Sequence, residues 1–168
     1  MDMHGRTDPP KSAPATEMVG AFLDFQRETI LWKASDLTLE QLAWAYEPST
    51  MSLLGMIKHL AYVERYWFQE ILAGESVEYP WTDEDPDADW RIETDEDADA
   101  IRALYWREIE RSKEITASMS WDEVAKGGEG DRGGTTLGWV LTHMVEETAR
   151  HVGHADLIRE RLDGGTGE

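Results

Sequence analysis

Five side chains in this sequence could hold a metal ion or move a proton: His59, His143, Glu147, His151 and His154. Four of them crowd into twelve residues near the C-terminus. At about 100° per residue of an α-helix they span only about 80° of arc, so they share one stripe. The pairs His143 with Glu147 and Glu147 with His151 are four residues apart, the spacing at which two helical side chains reach one cation. Val140, Met144 and Leu157 fall on or beside the same stripe, which predicts that it packs inward. Imidazole and carboxylate buried without partners cost about 1–3 kcal/mol each, and a bound cation would satisfy them together. His59 is the third ligand to consider. It lies inside an apolar stripe of another helix, where the plain alternative is a core histidine bonded to a carbonyl. His59, Glu147 and His151 together would make a two-histidine, one-carboxylate set with an open coordination position, as in catalytic zinc sites; nickel or iron would accept the same ligands.

Those residues need helices to place them, and apolar periodicity supplies four long ones. Met18, Phe22, Phe25, Thr29 and Trp32 mark the first, from an N-cap at Thr16 to about Leu37. Ser52 caps the second, whose stripe runs from Leu53 through Ile57, Leu60 and Trp67 to Ile71 before Gly74. Ile101, Leu104, Tyr105, Ile109 and Ile115 carry the third to about Ser118, with Thr94 and Asp97 resembling a capping box. Thr136 opens the fourth, which reaches Leu162 and stops at Gly164 and Gly165. Residues 1–15, with Pro9, Pro10, Pro14 and His4, read as a flexible tail. Residues 16–165 read as one all-α domain, a four-helix bundle. Thr38 to Thr50 is a connector, and Trp121 to Thr135 a glycine-rich loop.

The segment between the second and third helices runs from Glu75 to about Thr94, long for a connection between neighbouring antiparallel helices. It predicts an overhead crossover and an up-down-down-up course. Ligand heights agree. His59 lies about 10 Å along its helix, and His151 about 16 Å from the end of the fourth, so the two meet at one level only if these helices are antiparallel. Asp83, Glu84, Asp85, Asp87 and Asp89 make the crossover acidic, and solvation is the expected fate of that charge.

Composition removes several functions. Sixteen Lys and Arg against 35 Asp and Glu leave a net charge of −19, which repels nucleic acid and anionic membrane surfaces alike. There is no cysteine, so no disulfide, thiolate zinc site or cysteine nucleophile is available. Thiol chemistry would need a thiol from outside. No apolar stretch is long enough for a membrane span or shaped like a signal peptide, and a cytoplasmic protein is the expectation. Aromatic and Met residues on the helical stripes could supply a homodimer interface.

SLLGMIKHLAYVERYWFQEILAG, from Ser52 to Gly74, and LGWVLTHMVEETARHVGHADLIRER, from Leu137 to Arg161, resemble the DinB-like superfamily of metal-binding four-helix bundles. The resemblance is most specific in ETARHVGHADLIRE. It implies a metal site at His59, Glu147 and His151, with Glu147 standing where many members carry histidine. That substitution is similar to the bundle domain of mycothiol-dependent maleylpyruvate isomerases, whose further C-terminal domain is not expected here. The implied activity is a divalent-metal enzyme that ionises a low-molecular-weight thiol, with mycothiol, bacillithiol and glutathione as candidates, for transfer to or isomerisation of a small electrophile. A hydrolase using metal-activated water, and a non-catalytic dimeric bundle acting in stress response, are the alternatives. His154 falls where the family often has glutamine and is a candidate for orienting a ligand or shuttling protons, a helix-surface histidine being its alternative. His143 is a substitute ligand or a neighbour of the metal site. Tyr62 and Tyr66, about one and two turns beyond His59, could line a thiol or substrate pocket, or simply pack in the core.

Overall fold

The computed structural model describes residues 6–128 and 133–167; its regular elements are all helices, with no strand among the described residues. His4 and part of the glycine-rich loop lie outside the described residues. Helix α1 is Ala15–Lys33, α2 Leu39–Ala43, α3 Leu53–Glu64, α4 Ala98–Thr116 and α5 Leu137–Asp163; α3 continues into a π-helix, Arg65–Ala73. No described helix is long and apolar enough to cross a membrane.

The long elements begin and end for local reasons. Ser52 and Thr136 accept hydrogen bonds from the amides of Gly55 and Trp139, which satisfies donors that the first turns of α3 and α5 leave free. Gly74 and Gly164 close the π-helix and α5 in the left-handed conformation, at φ 71° and 76°. Three boundaries differ from expectation. The first helix starts one residue before Thr16 and ends at Lys33, after which Asp36 takes a positive φ. The third is preceded by Asp97 rather than Thr94, with no side-chain cap bond. The connector after α1 contains the short α2, held by a reciprocal capping box of Thr38 and Gln41.

Ion pairs fix the helix directions. Lys58 bonds Glu96, Arg65 bonds Glu108 and Arg111 bonds Glu75, so α3 with its π-helical extension runs the same way as α4. At the far end of α1, Lys33 pairs with Asp156, and Arg159 donates to the carbonyls of Lys33 and Ser35. Leu23, earlier on α1, packs in one cluster with Leu137 and Leu141 at the start of α5. Helices α1 and α5 are therefore parallel. His59 and Trp67 meet His151 and Trp139 respectively, which makes α3 and α5 antiparallel. This order of contacts is the one an up-down-down-up course requires.

Two apolar clusters fill the bundle, one around Ile30, Ile57, Leu60, Tyr105 and Ile158, the other around Leu23, Phe68, Leu72, Val140 and Met144. Leu157 belongs to neither. It is 56 % exposed, because the inward stripe of α5 passes through Ala155 and Ile158 instead. Within the stretch read as a tail, Arg6 is buried against α1. Its guanidinium bonds Thr29 at 2.8 Å and lies over the rings of Phe25 and Trp32.

Candidate metal centre

Helix α3 delivers His59 and α5 delivers Glu147 and His151 to one point in the bundle. A ligand atom from each lies within 4.8 Å of the other two, and the three could hold a metal ion. Glu147 Oε1 stands 3.2 Å from His151 Nε2 and 3.7 Å from His59 Nε2. His151 and Glu147 are neighbours because they are one turn apart on α5; His59 joins them because α3 runs antiparallel at the right height.

The crossover supplies what sequence reading missed. Asp89 is buried, and its Oδ2 lies 2.7 Å from His59 Nδ1. Trp90 stacks on the His59 imidazole with centroids 3.9 Å apart and planes at 19°, and meets the edge of His151 at 5.3 Å. Solvation of the whole acidic linker is thus corrected: one of its carboxylates is part of the site. Nothing in the local sequence marks Asp89 out from Asp83, Asp85 or Asp87, because its partner lies thirty residues back on another element.

The bonding of this group fits a cation. With Nδ1–H of His59 donating to Asp89, a neutral imidazole turns the Nε2 lone pair towards the Glu147 carboxylate. A proton or a metal ion between them would relieve that opposition. Burial opposes charge on His59, yet hydrogen bonds with Asp89 and Glu147 outweigh it and raise its pKa above the ordinary 6.5. The same contacts, first with His151 and then with His59, hold the Glu147 carboxyl far below the usual carboxylate range. His151 adds a second sign, since its Nδ1 is buried without a hydrogen-bond partner among the described residues. Whichever tautomer it adopts, one ring nitrogen stays unsatisfied. Two histidine nitrogens and one carboxylate also form a donor set that zinc, nickel and iron accept.

The remaining candidates fall on two sides of Trp67. Tyr62 and Tyr66 line a cavity of about 300 Å³ together with His59, Trp67, Trp81 and Trp90. His143 faces away from the ligand group: it stacks on Trp139 at 5.0 Å, meets Trp67 at 4.7 Å and lines a second recess of about 560 Å³. His154 adjoins His151, with ring centroids 5.7 Å apart, and its Nδ1 too is buried without a hydrogen-bond partner among the described residues. The expected α-helix from Leu53 to Ala73 changes to a π-helix at Arg65, three residues after Tyr62 on the cavity wall. π-helical turns recur at functional sites, and here the widened turns carry Tyr66 and Trp67.

No curated protein matches the chain. The family model described as mycothiol-S-transferase matches residues 18–164, which takes in all but the first three residues of α1, the other long helices, the crossover and every residue of the ligand group. The match covers most of the chain, and the chain belongs to the mycothiol-S-transferase family of DinB-like metal-binding helical domains.

Proposed function

We propose that His59, Glu147 and His151 hold one divalent cation, zinc in the first instance, and that the protein transfers an external low-molecular-weight thiol, mycothiol, to a small electrophile. The convergence of the three ligand atoms within 4.8 Å carries this reading. A cation bound there would lower the pKa of a thiol and keep it ionised near neutral pH. The chain's own part is to bind, orient and exclude. Glu147 and the two imidazoles provide three donors and leave room for a fourth, the arrangement of catalytic rather than structural sites. Having no cysteine, the chain presents no thiol of its own to compete for that position or for the electrophile.

The aromatic cavity beside His59 is the place for the electrophile. Its lining includes Tyr62, Tyr66, Trp67, Trp81 and Trp90, with Asp89 at one side and no lysine or arginine among the described residues, so it favours a small, largely apolar molecule without negative charge. His154, next to His151, is the histidine placed to exchange a proton near the ligand group. His143 acts across Trp67, if at all, on the part of a bound molecule that reaches the second recess.

The test is elemental analysis of protein purified without an affinity tag, followed by titration of the metal-loaded form with mycothiol, bacillithiol and glutathione. One ion per chain and saturable binding of one mycothiol are expected. Protein that stays metal-free after incubation with zinc, nickel and iron removes the metal reading. Metal loading without any thiol binding removes the transferase and leaves a metal-binding bundle.

A further inference from the structure

The crossover between the π-helix and α4 is seated on α3 by contacts specific to the stretch around Asp89. Lys58, itself buried, donates from Nζ to the carbonyl of Arg91 at 2.8 Å and pairs with Glu96 at 2.7 Å. The Trp90 carbonyl oxygen comes so close to Gly55 that a Cβ there would meet it at 2.4 Å. Contact at that distance is impossible, so the backbone of the crossover can lie where it does only because residue 55 has no side chain. Gly55 and Lys58 lie four residues and one residue before His59 on the same helix. Immediately before these anchor points in the crossover, Asp89 reaches His59 Nδ1 at 2.7 Å, and Trp90 covers the ring.

We infer that Asp89 is a positioning residue for the metal centre, a carboxylate that fixes His59 as its Nδ1–H tautomer and aims Nε2 at Glu147, and that Gly55 and Lys58 form the seat holding the crossover in place for it. The inference rests on the metal reading above. Its physical basis is general: an imidazole has two nitrogens, only the deprotonated one can ligate, and a hydrogen bond to the other decides which that is. Trp90 restricts rotation of the ring, so that tautomer and aim are set before any ligand arrives. Gly55 and Lys58 act at one remove, through the position of the crossover backbone.

Two measurements test this. Imidazole 15N spectra of the metal-free protein, taken above the His59 pKa, should show His59 protonated on Nδ1, and Asp89→Asn should lose that preference. Zinc affinity, measured by competition with a chromophoric chelator, should fall about 10- to 100-fold in Asp89→Asn. In Gly55→Ala, where the added methyl must push the crossover off its seat, it should fall in the same direction. Thermal melts of the metal-free variants separate this from lost structure: a positioning role leaves the Asp89→Asn melt close to that of the wild type while affinity drops. A wild-type protein that binds no divalent metal overturns both this inference and the reading beneath it. Wild type that binds zinc while Asp89→Asn binds it within twofold overturns the inference alone. An Nε2–H tautomer of His59 in the wild type does the same, and needs no variant to fold.

Discussion

Helix α3 carries, five residues apart, the half-buried His59 and the buried Glu64, and their surroundings are built on opposite principles. At Glu64, fully buried, every carboxylate oxygen meets a donor: Arg27 Nε reaches Oε1 at 2.8 Å, while Arg27 Nη2 and Ser112 Oγ reach Oε2 at 2.6 and 2.7 Å. That network closes on itself and ties α1, α3 and α4 together. At His59 the hydrogen bonds do not close: one ring nitrogen is taken by Asp89, the other confronts a carboxylate, and His151 keeps a buried nitrogen without a partner among the described residues. A buried ion pair that satisfies itself is a staple. A group short of one positive charge, arranged around a point, is a place for a ligand.

The contrast can be broken from either side. Arg27→Ala should leave Glu64 buried and unpaired, lowering stability by about 3–5 kcal/mol in urea unfolding of the metal-free protein, with metal stoichiometry unchanged in whatever fraction stays folded. His59→Ala should do the reverse, losing metal while costing only about 1–2 kcal/mol. A larger loss of stability at His59 than at Arg27 would mean that the two groups have been assigned to the wrong classes.

A subtler difference lies in pH. Glu147 has its carboxyl held below the ordinary 4.5 by His151 and His59, so its contribution to stability is present above pH 4.5 and is lost as pH falls. Burial works against a charged His59, but Asp89 and Glu147 raise it above 6.5, so its contribution is present below pH 6.5 and is lost as pH rises through the raised value. Metal-free protein should therefore gain most from this pair between pH 4.5 and 6.5. Glu147→Gln should flatten the profile, and a profile unaffected by that change would show that the pair is not coupled. The smallest effect is expected at His143. Its position against Trp67 and Trp139 leaves the ligand group untouched, so His143→Ala should retain one metal per chain while changing the KM of a substrate that reaches the second recess.

The long helices were legible because apolar residues recur along them at helical spacing, although the inward face of α1 runs through Leu23, Arg27 and Ile30 while Phe22, on the expected stripe, is exposed. Glu147 and His151 were legible for the same reason, being neighbours by helix geometry alone. His59 followed from register, as two antiparallel helices of known length fix which residues share a level. Asp89 and Trp90 could not be found this way, since a crossover without periodicity carries no register and its seat depends on a missing side chain at Gly55. The π-helix was hidden too: it keeps the apolar residues of an α-helix and changes only which carbonyl each amide reaches. The capping box of α2 was in plain sight as Thr38 with Gln41, but five residues are too few to show a stripe.

Residues 59, 89, 147 and 151 are far apart along the chain and meet only when α3, the crossover and α5 have docked. An unfolded chain therefore offers a metal ion little more than isolated histidines. By mass action, whatever binds the assembled group and not its scattered parts draws the population towards the folded form, by about 2.7 kcal/mol when free ion exceeds the dissociation constant a hundredfold. For a protein of this size that is a sizeable share of its total stability, so the supply of metal would govern how long the folded chain survives as well as whether it can act.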